Sequence, residues 1–459
     1  MKQRIVLVGA GSAQFGYGTI GDILQSQTLE GSAIVLHDIN PDTLREVETT
    51  AASFISDRKL PFIIESTTDR KRAFKDADFI IISIEVGDRF ALWEQDRTVP
   101  QQYGINQIYG ENGGPGGLFH ALRIIPPILE ICGDIERICP KAIVFCYSNP
   151  MTAICTTIHR VYPDLTCIGL CHEIASLRNH LPVILNTNYD NLEITAGGLN
   201  HFSVVLEAKY RDSGRDAYPD ILKKAPAYFE QLRGYSELWR ILQENPDLDY
   251  SESSRINECM GSVTSGKPWA DRGLFKRIIE DFDLLPITHD SHFGEYIGWA
   301  HDVTDHKGIV DFLVFYEFLL SRPASAIKLS LSERVVPIIE GIIDDIGYTE
   351  EAVNLPNDGL IAELPEFVVV EVPGVVDRDG IHGQTLPPLP KGYAALLRNY
   401  TGVYDLTAEA VIQKSKKAAV QALLVNPVVS KATGINELVD LMISLQPEWL
   451  GYLAANDAP

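Results

Sequence analysis

The chain has 459 residues, with 39 basic and 62 acidic side chains and a formal net charge of −23 at pH 7. At about 150 residues per domain this length predicts two or three domains, with interior enough to need neither disulfides nor a structural metal. Hydrophobic residues at 45% and charged residues at 22% exclude wholesale disorder. A surface this acidic repels phosphate backbones and anionic lipid, so neither nucleic acid nor a membrane is expected as a partner.

Chain order reads as follows. MKQRIVLVGAGS opens with an apolar run too short for a signal-peptide core, and RIVLVG (4–9) reads as a buried strand. FGYGTIGDILQ starts a helix, SAIVLHD (32–38) is a second strand, ADFIIISIEVG (77–87) a third and KAIVFCYSNP (141–150) another. Near-continuous Val/Ile runs spaced by helical segments predict a parallel sheet buried on both faces, that is, a doubly wound α/β dinucleotide-binding domain over residues 1–190. LEITAGGLNHFSVVLEAKY (192–210) predicts two strands around a turn at Gly197-Gly198. Residues 215–350 read as mostly helical, EFVVVEVPGVVDRDGI (366–381) as strand-rich, and the C-terminal third as helical. Residues 191–459 are therefore expected to form an α+β second domain packed directly on the first, since no low-complexity linker separates them. No run of about 18 apolar residues predicts a membrane span. The cysteines (Cys132, Cys139, Cys146, Cys155, Cys167, Cys171 and Cys259) are odd in number and form no CxxC pair, so a zinc ribbon or thioredoxin-like motif is excluded and a reducing cytoplasm is expected.

Gly9-Ala10-Gly11-Ser12 follows the first strand and opens a helix. Glycine lets the backbone turn tightly and approach a pyrophosphate at the helix N-terminus. Asp38 ends the second strand, where a carboxylate accepts the ribose hydroxyls of NAD and repels the 2′-phosphate of NADP. Gln14 at the third glycine position, and an Asp further along than usual, depart from the full fingerprint. YSNPM (147–151), GLCHEI (169–174) and GLNHF (198–202) each stand at a predicted strand end, where α/β sheets place ligands. Asn149 offers a donor and an acceptor to a hydroxylated ligand, and Cys171 with His201 forms a candidate divalent-cation pair. The plainer readings are a small core cysteine and a hydrogen-bonded structural histidine. A thiolate also suits zinc in general, so these residues alone do not select manganese.

GAGSAQF, YSNPM, GLCHEI, GLNHF, NLPNDGLI and VVVEVPGVVDRDGI, in this order from residue 4 to about residue 430, resemble glycoside hydrolase family 4. These are the NAD- and Mn2+-dependent glycosidases with a fold similar to the lactate/malate dehydrogenases. The resemblance implies that Gly9, Gly11 and Ser12 cradle the NAD pyrophosphate and Asp38 the adenosine ribose. It implies Cys171 and His201 as metal ligands, and Asn149 against both the substrate hydroxyls and the nicotinamide region. Asn200 and Glu111 fall to the substrate, and His172 or Glu173 to the leaving oxygen. Asp290 is the implied base, with Tyr296 as its alternative. The implied chemistry is oxidation at sugar C3, removal of the C2 proton, elimination at C1, addition of water and re-reduction, with no net redox.

Cys171-His172-Glu173-Ile174 is one conservative step from the Cys-His-Glu-Val of α-galacturonidase members, so a galacturonide substrate is favoured over a neutral α-glucoside or α-galactoside. A uronate carboxylate calls for an Arg fork, and Arg89, Arg255 and Arg272 are the candidates. The competing readings are an NAD-dependent hydroxy-acid dehydrogenase and a non-enzymatic sugar or nucleotide sensor. The expected partners are a small carbohydrate and further copies of the chain, in a dimer or tetramer.

Overall fold

The computed structural model describes residues 2–11, 13–232, 234–245, 272–288, 291–321, 326–331 and 333–454. Short apolar runs form six parallel strands: β1 (Arg4–Val8), β2 (Ala33–His37), β3 (Ile63–Thr67), β4 (Phe79–Ile82), β5 (Ile143–Cys146) and β6 (Cys167–Gly169). A small antiparallel sheet follows, made of β7 (Leu192–Gly197), β8 (Val204–Tyr210) and β9 (Leu285–Pro286). The chain then returns to the first sheet. β10 (Tyr348–Pro356) pairs antiparallel with β6, and β11 (Val369–Asp377) and β12 (Gly380–Gly383) continue outward, in the order β12-β11-β10-β6-β5-β4-β1-β2-β3.

Helices cover both faces, as a sheet apolar on both sides requires. Ile20, Val47 and Ile339 pack on one face, from helices Ala13–Leu24, Pro41–Arg58 and Val335–Asp344. Leu122, Ile154 and Leu397 pack on the other, from Gly114–Ile138, Met151–Val161 and Lys391–Ile412. The doubly wound α/β expectation is met. No helix among the described residues is long and apolar enough to cross a membrane.

Three local differences matter for the site. The strand expected over 77–87 leaves the sheet after Ile82, so Ser83–Gly87 line a cleft instead of pairing. β10 begins at Tyr348, inside the stretch expected to be mostly helical, and its Asn354 pairs with Gly169. The turn at Gly197-Gly198 extends to Ser203 and carries His201.

This longer turn is held from two sides. Gly198 and Glu371 exchange backbone hydrogen bonds of 2.9 Å in both directions. The Tyr393 hydroxyl donates to Gly197 O (3.1 Å) and Phe202 O (2.5 Å). Gly198 sits at φ +149, and a Cβ there would lie 2.0 Å from the Tyr393 oxygen, so only glycine fits. Tyr393→Phe strips a buried donor from both carbonyls. It is expected to cost about 1–3 kcal/mol in urea unfolding, and an unchanged midpoint would show that the turn does not depend on this clamp.

Candidate active site

The strand order places four carboxyl ends side by side: Gly9 after β1, Ser83–Gly87 after β4, Asn149 after β5 and Cys171 after β6. A cleft of about 730 Å³ opens over the first two, within the range of about 300–1,000 Å³ usual for ligand sites. Gly9 (φ +88) and Asp38 line it. A Cβ on Gly9 would come 2.1 Å from Ser83 O, and one on Gly11 would come 2.8 Å from Asp38 Oδ2. Asp38 is fixed by the Gly11 N–H (2.8 Å) and the Asn40 N–H (2.9 Å). The first strand–turn–helix thus needs glycine at both positions for its backbone to pack this closely, and Gly9 borders the cleft. Ser12 lies outside the described residues.

At the other end, Cys171 Sγ is 3.3 Å from His201 Nε2. His201 Nδ1 faces Glu173 Oε1 at 3.8 Å, and Thr288 Oγ1 donates to the same carboxylate at 2.5 Å. Cys171, Glu173 and His201 together present ligand atoms within 4.8 Å of one another. A cation held by Sγ and Nε2 leaves Glu173 on the far ring nitrogen, the usual place for a carboxylate that orients a metal-binding imidazole. His201 adopts φ +62, a left-handed conformation that costs a non-glycine residue about 1 kcal/mol or more. Burial, then the Glu173 and Glu371 carboxylates, push the Cys171 thiol well above its ordinary range, against the opposing Glu173 N–H and Asn200 amide.

The remaining expected residues separate. Asn149 stands between the cleft and the candidate cation group, with its Oδ1 buried and without a hydrogen-bond partner among the described residues. Asn200 donates to Glu371 Oε2 at 2.9 Å and faces Cys171, so its amide positions those groups. Glu111 accepts from Arg89 Nη2 (2.6 Å) and lies 2.8 Å from His292 Nε2. Burial alone would raise this carboxyl, but His292 and Arg89 outweigh it and hold it well below the usual carboxylate range. Glu111 is thereby a buried brace that reaches the His201 ring through His292, whose ring centroid is 4.8 Å from it.

His172 and Tyr296 stand apart from the Cys171–Glu173–His201 group. The His172 ring is mostly exposed, with Nδ1 4.0 Å from Glu333. Tyr296 is 3% exposed, stacked on Phe202 at 4.8 Å, and its hydroxyl donates to Asn200 O at 3.4 Å. Burial pushes that phenol well above its usual range. Asp290 and His289 lie outside the described residues, as do Arg255 and Cys259; the Arg272 side chain is likewise not described.

Sequence reading missed Glu371, Asn354 and Asn112. Glu371 is 2% exposed and accepts from the amides of Asn200 (2.9 Å) and Asn354 (3.1 Å), while its Oε1 is buried without a partner among the described residues. Both side-chain polar atoms of Asn112 are likewise buried and unpartnered among the described residues. Its backbone N–H, with those of Glu111 and Gly113, donates to Glu295 at 2.8–3.2 Å. The one available signal was an acidic residue inside the apolar run VVVEVPGVV.

A doubly wound sheet with a glycine-turn cleft at one strand end and a thiol–imidazole–carboxylate group at another has the layout of an α/β enzyme whose ligands lie at the carboxyl ends of its strands. Residues 4–187 match the family 4 glycosyl hydrolases, and residues 196–429 match that family's C-terminal domain. The chain belongs to this family and is a glycoside hydrolase. It is 57% identical to an α-glucosidase of Erwinia rhapontici over 99% of this chain and 100% of the relative. An α-galacturonidase of Thermoanaerobacterium saccharolyticum is 32% identical, over 45% of this chain and 46% of the relative. A 6-phospho-α-glucosidase from gut microorganisms, solved in complex with NAD and Mn2+, superposes with TM-score 0.74 at 21% identity, covering 97% of this chain and 98% of that one. That likeness shows the shared fold.

Glu371→Gln is expected to weaken divalent-cation binding about tenfold or more, read by calorimetry with Mn2+, while the unloaded protein melts at a higher temperature because an uncompensated buried charge is removed. Equal affinity would remove Glu371 from the cation site.

Proposed function

We propose that the protein hydrolyses α-glucosides, with NAD in the cleft and Mn2+ at Cys171 and His201. The observation that carries this reading is the Cys171–His201 pair at 3.3 Å, two strand ends away from a glycine-lined cleft. When bound, the dinucleotide takes and returns a hydride at sugar C3, and the cation polarises the neighbouring sugar oxygens. Gly9, Gly11 and Asp38 hold the dinucleotide. Asn149, with its unpartnered Oδ1, orients a sugar hydroxyl where the two sites meet. Glu173 and Thr288 fix the His201 ring, while Glu371 and Asn200 fix the thiol side. Asp290 is the base we assign to the C2 proton. Net chemistry is addition of one water across the glycosidic bond.

A neutral glucoside is favoured by the full-length similarity to an α-glucosidase. A galacturonide, favoured above on the Cys-His-Glu triplet, needs a free guanidinium, and Arg89 is already bonded to Glu111 (2.6 Å) and lies near Glu85 (3.9 Å). We further place the protein in a reducing cytoplasm, as a homo-oligomer.

Two outcomes test this. In D2O with NAD, Mn2+ and a thiol reductant, an α-glucoside is expected to yield glucose carrying deuterium at C2, with α-galactoside and digalacturonate poorer substrates. Cleavage without C2 deuterium overturns the mechanism, and preferred cleavage of digalacturonate overturns the sugar assignment. Because the raised Cys171 thiol is protonated at neutral pH, cation binding must expel a proton, so binding strengthens as pH rises. Mn2+ affinity is expected to increase about tenfold per unit from about pH 6 to 8, with proton release visible as buffer-dependent heats.

A further inference from the structure

The C-terminal segment folds back onto the first sheet's helices. Helix Ile435–Leu445 runs into Pro447–Leu450 and then Gly451–Leu453. A buried polar triad fastens it. Arg123 donates through Nη2 to Asp96 Oδ2 and through Nη1 to Gln446 Oε1, each at 2.8 Å, and Gln446 Nε2 donates to Asp96 Oδ1 at 3.0 Å. Asp96, Arg123 and Gln446 are each at most 3% exposed. Such a network has a fixed geometry, because any slippage would leave a buried charge unpaired. A second tie, from the Tyr452 hydroxyl to Leu122 O at 2.8 Å, lies just beyond.

Between these two anchors stands Trp449, and it lines the dinucleotide cleft. Its indole lies against the turn at Gly87 (φ +65), where a Cβ would come 3.1 Å from Trp449 Nε1. The ring is only partly buried, and its N–H has no acceptor among the described residues. Facing it, besides Ser83–Gly87 after β4 and Glu130 and Asp134 of helix Gly114–Ile138, the cleft is walled by Asp38 after β2 and Thr68–Lys71 after β3, on the side of the sheet away from Cys171. Ligand at this end is therefore the adenosine half. Trp449 also lies beyond residue 429, where the match to the family's C-terminal domain ends.

We propose that Trp449 is a dinucleotide-binding residue: its indole closes the cleft over the adenosine half and donates its N–H to a ribose or pyrophosphate oxygen. This rests on the NAD reading of the cleft. A flat aromatic wall suits a nucleotide because base and ribose offer broad apolar faces. A neutral donor adds a hydrogen bond to the anionic linker without the cost of desolvating a second charge.

The test is calorimetric titration of the full chain with NAD and with ADP-ribose. Trp449→Ala is expected to weaken both about tenfold and Trp449→Phe about threefold, with Mn2+ affinity unchanged. Affinities within twofold of wild type for Trp449→Ala overturn the proposal. Should that variant fail to fold, Trp449→Phe carries the test by fluorescence. Wild-type tryptophan emission is expected to be quenched by NAD and the quench largely lost in Trp449→Phe, whereas a quench of wild-type size overturns the assignment. A wild-type protein that binds no NAD overturns the parent reading itself, which separates the two failures.

Discussion

Glu371 is almost completely buried, yet two carboxamides, from Asn200 and Asn354, bond it where a lysine or arginine would be expected. Removing a carboxylate from water without a cation costs several kcal/mol even after relaxation, so the surrounding fold must supply what offsets it. The two amides are part of the answer. The rest lies in what Glu371 faces: the Cys171 side of the group proposed above to hold a positive ion. A divalent cation there turns an electrostatic liability into a complementary site, and the same carboxylate that destabilises the empty cluster strengthens the filled one.

That arrangement depends on the chain coming back to its first sheet. β10 brings Asn354 against Gly169 at the end of β6, and the backbone of Glu371, in β11, pairs with Gly198. Cys171 and His201 lie in segments that precede these strands by well over a hundred residues, yet their spacing is set by them. Precision at the cation group is therefore a property of the whole sheet rather than of the turns that carry its ligands.

Legibility in the sequence followed burial. β1, β2, β4 and β5 are buried on both faces and so read as unbroken apolar runs. β3 was missed because it is an edge strand of mixed character, IIEST, with no face fully buried. β10 was missed because YTEEAVNLP carries charges at its start and an asparagine where the sheet needs a side-chain donor. At the site, Cys171 and His201 were readable from strand-end motifs. Glu371 and Asn112 were not, because their importance lies in unsatisfied polar atoms, which only packing reveals. The burial of Tyr296 in an aromatic stack was equally hidden, because sequence proximity to Asp290 carries no information about packing.

The same distinction bears on the sugar. Glu173 was the residue that tilted the sequence reading toward a uronide. In the folded chain its carboxylate is turned to Thr288 and the His201 ring. Its identity therefore reports how the imidazole is held more directly than which sugar is bound. Recognition of a uronate would have to come from a guanidinium with free donors, and Arg89 is clamped by Glu111 inside a network that braces His292 against His201. Releasing Arg89 for a substrate carboxylate would leave Glu111 buried with only His292, a loss that a surface contact to a sugar does not offset. Among the described residues the charges of this group are thus engaged with one another, in keeping with the neutral glucoside proposed above.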